Sequence, residues 1–181
     1  MIRLYQAPPA QTHVLCLDEM GPVSAKTYPA PRWSPSGDRP RVEADYGRRG
    51  KVWVFGAFEP AEGFALTHSA PSRASVHFVA FLDQVVEAWP KGDLILILDN
   101  LSIHKTLDVR LWSLAHPRVR FLFLPTYTPW LNLIEPWWKT LRSIALHGRR
   151  FETLEEIELA IHHGTDYWNC HRHPYFWRKA A

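Results

Sequence analysis

The run Asp93 to Asn100 (D-L-I-L-I-L-D-N) constrains this chain more than any other stretch. Its centre, Leu94 to Leu98, is all Leu and Ile with no polar alternation, so a strand built from it is apolar on both faces. Such a strand belongs inside a sheet that is covered on both sides. The segments around it supply the covers. Val76, Val79, Leu82, Val86 and Trp89 recur every three or four residues, the stripe of an amphipathic helix stopped by Pro90. A second helix fits His104 to His116, a further strand Val119 to Leu124, and a third helix Asn132 to Leu146, where Trp137, Leu141, Ile144 and Ala145 keep helical spacing. Thr153 and Glu156 form a capping box opening a last helix through Ile157, Ile161 and Trp168. Ahead of the apolar run lie a short strand, Val14 to Leu17, and a hairpin of Lys51 to Phe58 with Gly63 to His68. Between them Pro29, Pro31, Pro35 and Pro40 read as turns and extended chain. The order predicts an α/β fold, a mixed sheet flanked by helices.

At 181 residues, 46% hydrophobic and 22% charged, the chain reads as one globular domain over residues 1–181, with 1–13 an irregular lead-in. Two cysteines far apart, Cys16 and Cys170, suit a reducing interior. No apolar run nears the ~18 residues of a membrane span, and the first residues lack a signal-peptide pattern. The expectation is a cytoplasmic protein with no membrane partner. A net charge of +3 with ten His suits a polyanionic partner. Nine Trp call for packed aromatic anchors or a nucleic-acid surface.

Asp18 and Asp99 each follow directly on an expected strand, and in open α/β sheets sites gather at the carboxyl ends of strands. Either one alone also reads as an ordinary turn or cap residue. Two carboxylates about 4 Å apart repel by roughly 4 kcal/mol at an effective dielectric near 20. Neighbouring strands that present both therefore call for a cation between them. Glu135 is the third candidate, although Asn132 three residues before it also reads as a capping pair. Glu19 is set apart, because it points to the opposite side if the strand continues. His104 reads either as a first-turn polar residue or as a partner of the acids. The scattered Cys170, His171, His173, His162 and His163 match no standard zinc spacing.

The segments L-D-E (Leu17 to Glu19), R-W-S-P-S-G-D-R-P (Arg32 to Pro40), V-F-G-A-F (Val54 to Phe58), L-D-N-L-S-I-H-K (Leu98 to Lys105), L-P-T-Y-T-P-W-L-N-L-I-E (Leu124 to Glu135) and W-N-x-H-x-H-P-Y-x-W (Trp168 to Trp177) occur in that order. Together they closely resemble the catalytic domain of DDE transposases of the mariner-type superfamily, in the branch of bacterial insertion sequences. The most specific feature is D-N with a following His, then Y-T-P-x-L-N-x-I-E, with Asp99 and Glu135 36 positions apart. Leu133 and Pro136 depart from the usual pattern.

The resemblance implies a ribonuclease-H-like fold, in which the first and fourth strands lie side by side, and a catalytic, metal-binding triad of Asp18, Asp99 and Glu135. It implies two Mg²⁺ ions, with Mn²⁺ as substitute, and double-stranded DNA as partner at both the element ends and the target. Water would first cut the element end, and the freed 3′-hydroxyl would attack target DNA, usually at a TA step. His104 and Asn100 stand beside the triad as supports or DNA contacts, and Arg48, Arg49, Lys51, Lys139 and Arg142 as phosphate contacts. Family members normally carry N-terminal helix-turn-helix domains, for which 17 residues ahead of Asp18 leave no room. The expected partners therefore extend to a second copy and a separate N-terminal DNA-binding polypeptide. Two alternatives stay open: a catalytically incomplete remnant that binds DNA or protein, and an unrelated ribonuclease-H-like nuclease.

Overall fold

In the computed structural model, residues 2–30, 49–126 and 128–175 are described. Along the chain, helix α1 (Ile2–Gln6) leads into β1 (Thr12–Ser24) and the two-residue β2 (Thr27–Tyr28). Strands β3 (Lys51–Glu59) and β4 (Phe64–Ala70) form the hairpin, followed by α2 (Ser75–Ala88) and β5 (Asp93–Leu98). A 3-10 turn, Ser102–Lys105, precedes α3 (Leu107–Ala115) and β6 (Val119–Phe123). A second one, Pro129–Leu131, precedes α4 (Ile134–Ala145), β7 (Arg149–Arg150) and α5 (Leu154–Cys170).

The five-stranded sheet runs β4-β3-β1-β5-β6, and β2 pairs with β7 apart from it. Strands β3 and β4 are antiparallel, as are β1 and β3, whereas β5 lies parallel to both β1 and β6. The apolar run is thus an interior strand. One face of the sheet packs Leu15, Leu17, Phe55, Leu94 and Leu96 against Phe78, Phe81, Leu82 and Val85 of α2 and Val109 and Trp112 of α3. The other packs Cys16, Met20, Val54 and Phe58 against Ile134, Trp137, Trp138 and Leu141 of α4 and Ile157, Ile161 and Trp168 of α5.

Strand β5 needs a cover on its second face, and α1 supplies part of it. Leu4 and Tyr5 pack with Ile95 and Ile97 against Val14 and Leu124, and the Tyr5 hydroxyl donates to the Leu131 carbonyl at 2.7 Å. Within the lead-in expected to be irregular, Ile2–Gln6 is a helix and Thr12 already starts β1, because apolar residues there have a face to bury. Strand β1 also outruns the expected Val14 to Leu17. It pairs with β3 as far as Ser24, with a register shift between Met20 and Val23, where Pro22 has no N–H to give the ladder. Asp18 and Glu19 consequently sit within the strand rather than after it. Thr153 accepts from the Glu156 backbone N–H at 3.3 Å, while the Glu156 carboxylate accepts from Glu152 N–H at 2.7 Å. No helix among the described residues is long and apolar enough to cross a membrane.

Candidate active site

The β1–β5 register ends at Cys16 opposite Ile97. Two residues further on along each strand stand Asp18 and Asp99, where β5 has ended and β1 continues beside β3 alone. Adjacent strands lie about 4.8 Å apart, so the fork sets the two carboxyls side by side, and Asp18 is within electrostatic reach of Asp99. Burial foremost, and then the carboxylates of Glu19, Glu135 and Asp99, push the Asp18 carboxyl up to about 7, against one hydrogen bond from the Glu19 N–H that lowers it. Asp99 moves the other way. Burial raises it, but hydrogen bonds from His104 and from the Leu101 N–H hold it below the usual carboxylate range.

Glu135 arrives from α4. The residues before that helix do not cap it: the side chain of Asn132, buried, instead donates from Nδ2 to the Leu17 carbonyl at 2.9 Å. This ties the start of α4 to β1 one residue before Asp18. Only the Asn132 carbonyl serves the helix, accepting from Glu135 N–H at 3.1 Å. The capping reading of Asn132 and Glu135 is thus replaced, and the helix begins at Ile134 rather than Asn132. Pro136 fits because a first-turn residue has no intrahelical partner for its N–H. Gly56 lies directly opposite Asp18 across β1 and β3. A Cβ there would overlap the Trp138 ring and come within 3.1 Å of Ile134, so glycine lets α4 approach the sheet.

On the opposite face, His104 is buried and uses both ring nitrogens. Nε2 lies 2.8 Å from Glu19 Oε1, and Nδ1 lies 3.2 Å from Asp99 Oδ1. Burial disfavours its charge, yet hydrogen bonds to the two carboxylates outweigh that and push it up to about 9. The buried His104 ring thus bridges Glu19 and Asp99. Sequence reasoning passed over that role of Glu19 because its partner is 85 residues away. Arg73 was missed too: it stacks over Trp53 at 4.9 Å and lowers Asp99 electrostatically. Asn100 joins the strand exits, donating to the Leu124 carbonyl and accepting from Lys105 Nζ at 2.7 Å.

Beside Asp99 a cleft of about 250 Å³ is lined by Asn100, Leu101, Leu124, Pro125, Thr126 and Thr128. Larger cavities, about 460 Å³ beside α3 and about 770 Å³ along β4 and α5, are lined by none of the three carboxylates. Lys139 and Arg142 follow Glu135 by four and seven residues on α4, which puts all three on one exposed face. Lys51 is exposed, Arg49 is paired with Glu152 at 2.8 Å, and Arg48 lies outside the described residues. Among the described tryptophans, Trp89, Trp112, Trp137, Trp138 and Trp168 are buried and Trp130 is exposed. The ring of Trp137 stacks on Phe58 at 5.8 Å. Packing therefore absorbs most of them.

A divalent ion at this end of the sheet would meet only acidic oxygen donors from Asp18, Asp99 and Glu135. The donor set is all carboxylate oxygen, which suits Mg²⁺ or Mn²⁺, and Asp18 is buried within electrostatic reach of the carboxylates of Glu19, Glu135 and Asp99. Among the described residues no three His, Cys, Asp or Glu side chains are grouped so as to hold a metal ion as they stand. Mg²⁺ is generally bound through one or two carboxylates and completed by water and substrate phosphate oxygens.

Comparison with known proteins gives a consistent picture. Residues 13–158 match the family described as DDE superfamily endonuclease. The chain is 25% identical over 132 residues to the insertion element IS630 uncharacterized 39 kDa protein of Shigella sonnei, covering 72% of this chain and 38% of that protein. It thus spans well under half the length of that curated relative. The Mos1 transposase paired-end complex with left transposon end superposes with a TM-score of 0.67 at 15% identity, over 96% of this chain and 52% of that one. The catalytic core domain of BIV integrase gives 0.58 at 12% identity, over 89% and 86%. At such identities the likeness concerns the fold, and that fold is ribonuclease-H-like.

Proposed function

Because the chain belongs to the DDE superfamily endonucleases, we propose that it is the catalytic domain of an insertion-sequence transposase that cleaves and joins DNA strands, with Asp18, Asp99 and Glu135 as its acidic triad. The observation that carries this reading is the fork of β1 and β5. It sets Asp18 beside Asp99, while α4, anchored through Asn132, brings Glu135 within electrostatic reach of Asp18. Solved relatives support the DNA-joining part, among them the structure named as the Mos1 strand transfer complex, with a TM-score of 0.62 at 15% identity.

Asp18, Asp99 and Glu135 would hold the divalent ions, which when bound supply activation of the attacking oxygen and stabilisation of the leaving one at phosphorus. The protein's own contribution is placement. His104 and the Leu101 N–H orient Asp99, and Asn132 ties the entry to α4 to the strand carrying Asp18. Lys139, Arg142, Lys51 and Arg73 are exposed cations around this end of the sheet, suited to the phosphates of double-stranded DNA. A paired assembly of two chains on two element ends, and DNA-binding segments beyond this domain, belong to the same reading.

The test is nicking of plasmid and terminal-repeat DNA with Mg²⁺ or Mn²⁺. The wild-type chain is expected to nick, and Asp99→Asn to lose nicking by about 10²- to 10³-fold, the scale on which losing a central electrostatic group costs catalysis, while retaining its fold and DNA affinity. Nicking that persists in Asp99→Asn would sink the assignment. Joining of a pre-cut 3′ end to target DNA separates a transposase from a plain nuclease.

A further inference from the structure

Glu19 occupies a position where the pattern of β1 calls for an apolar residue. Leu15 and Leu17 precede it on the same face, buried in the layer formed with α2 and α3, and the Glu19 side chain is itself 1% exposed. A buried ion pair contributes little net stability, and apolar residues of similar volume often serve as well or better. Its presence there calls for another role. Its Oε1 accepts from His104 Nε2 at 2.8 Å, and its Oε2 is buried with no hydrogen-bond partner among the described residues. The His104 ring is held on its flank by Phe78, 4.6 Å between centroids. From its other edge, Nδ1 faces Asp99 twice, the backbone carbonyl at 3.3 Å and the carboxylate Oδ1 at 3.2 Å, and that Oδ1 also accepts from the Leu101 N–H at 3.0 Å. One oxygen of Asp99 is thus held by the Leu101 N–H and by the His104 edge that also grips its backbone, which leaves the other for a ligand.

We propose that Glu19 is a positioning residue: it fixes the His104 ring so that Nδ1 clamps one oxygen of Asp99 and keeps the carboxylate ready for a divalent ion. The proposal rests on the reading of Asp99 as a metal ligand. Partners that orient a ligand from behind typically account for 10- to 100-fold in metal affinity, because an unsupported carboxylate must be ordered at each binding event.

Calorimetric titration of the full chain with Mn²⁺ alone reads the effect without turnover. Glu19→Leu fills the space and offers His104 no acceptor, and is expected to weaken Mn²⁺ binding about 10-fold or more. Glu19→Gln still presents an oxygen to Nε2 and is expected to recover most of that loss. His104→Phe breaks the same chain at its next link and is expected to match Glu19→Leu, with the double variant losing no more than either single one. Unchanged affinity in Glu19→Leu overturns the proposal, as does a loss that Glu19→Gln fails to relieve. Should Glu19→Leu not fold, His104→Phe decides, and unchanged affinity there is again fatal. Asp99→Asn distinguishes the two levels: wild-type Mn²⁺ binding in that variant removes the metal reading of Asp99 itself.

Discussion

Asp18 and Asp99 stand on neighbouring strands, yet their surroundings push their carboxyls in opposite directions. Asp18 is buried among acids with a single donor, whereas Asp99 has His104 and a backbone N–H. The consequence for stability has a definite sign. With a folded value near 7 against 3.8 for the free group, the folded chain retains a proton that the unfolded chain releases between these values. Stability is therefore lost as pH rises through that window. Without metal, the melting temperature of the wild type is expected to fall relative to Asp18→Asn between about pH 4 and 7. Adding Mn²⁺ at pH 7 is expected to raise the melting temperature of the wild type and leave the variant unmoved. Parallel melting curves for the two proteins across the window would contradict the burial of a strained carboxyl at this position.

In the proposed site, helix α4 is the element that adds Glu135 to the two adjacent aspartates. Its hold on the sheet depends on Ile134, Trp137 and Trp138, and on the missing side chain of Gly56. Gly56→Ala inserts a methyl group into the Trp138 ring, and overpacking of this kind costs about 1–3 kcal/mol. Denaturant unfolding is expected to show that loss, and nicking is expected to fall by more than the loss of folded protein explains, because α4 carries Glu135. A comparison at the start of α5 isolates the effect. Thr153→Ala removes the N-cap of α5 at a cost of about 1 kcal/mol, and its nicking rate per folded molecule is expected to match the wild type. Equal nicking losses in the two variants would show that activity follows overall stability and not the seating of α4.

For the whole molecule, a net charge of +3 is small, so DNA affinity depends on where the cations sit. Lys139 and Arg142 share the exposed face of α4 with Glu135. Replacing either by Ala is expected to reduce the slope of log affinity against log salt by about 1 and to weaken all duplexes alike. Binding titrations at several salt concentrations measure it, and an unchanged slope would place the DNA elsewhere. How much of this architecture was legible beforehand follows from the range of each interaction. The L-I-L-I-L run of β5, the stripes of α2 and α4 and the cap at Thr153 are local patterns, and the sequence by itself determined those elements and their layering. The candidate residues Asp18, Asp99 and Glu135 were likewise proposed from motifs along the chain. The continuation of β1 past Asp18, the helix at Ile2–Gln6, the use of Asn132 to grip Leu17 and the line from Glu19 through His104 to Asp99 were decided by the tertiary structure alone. Each depends on a partner far away in sequence, and hydrogen bonding and burial act on what is near in space. No periodicity along the chain records that proximity.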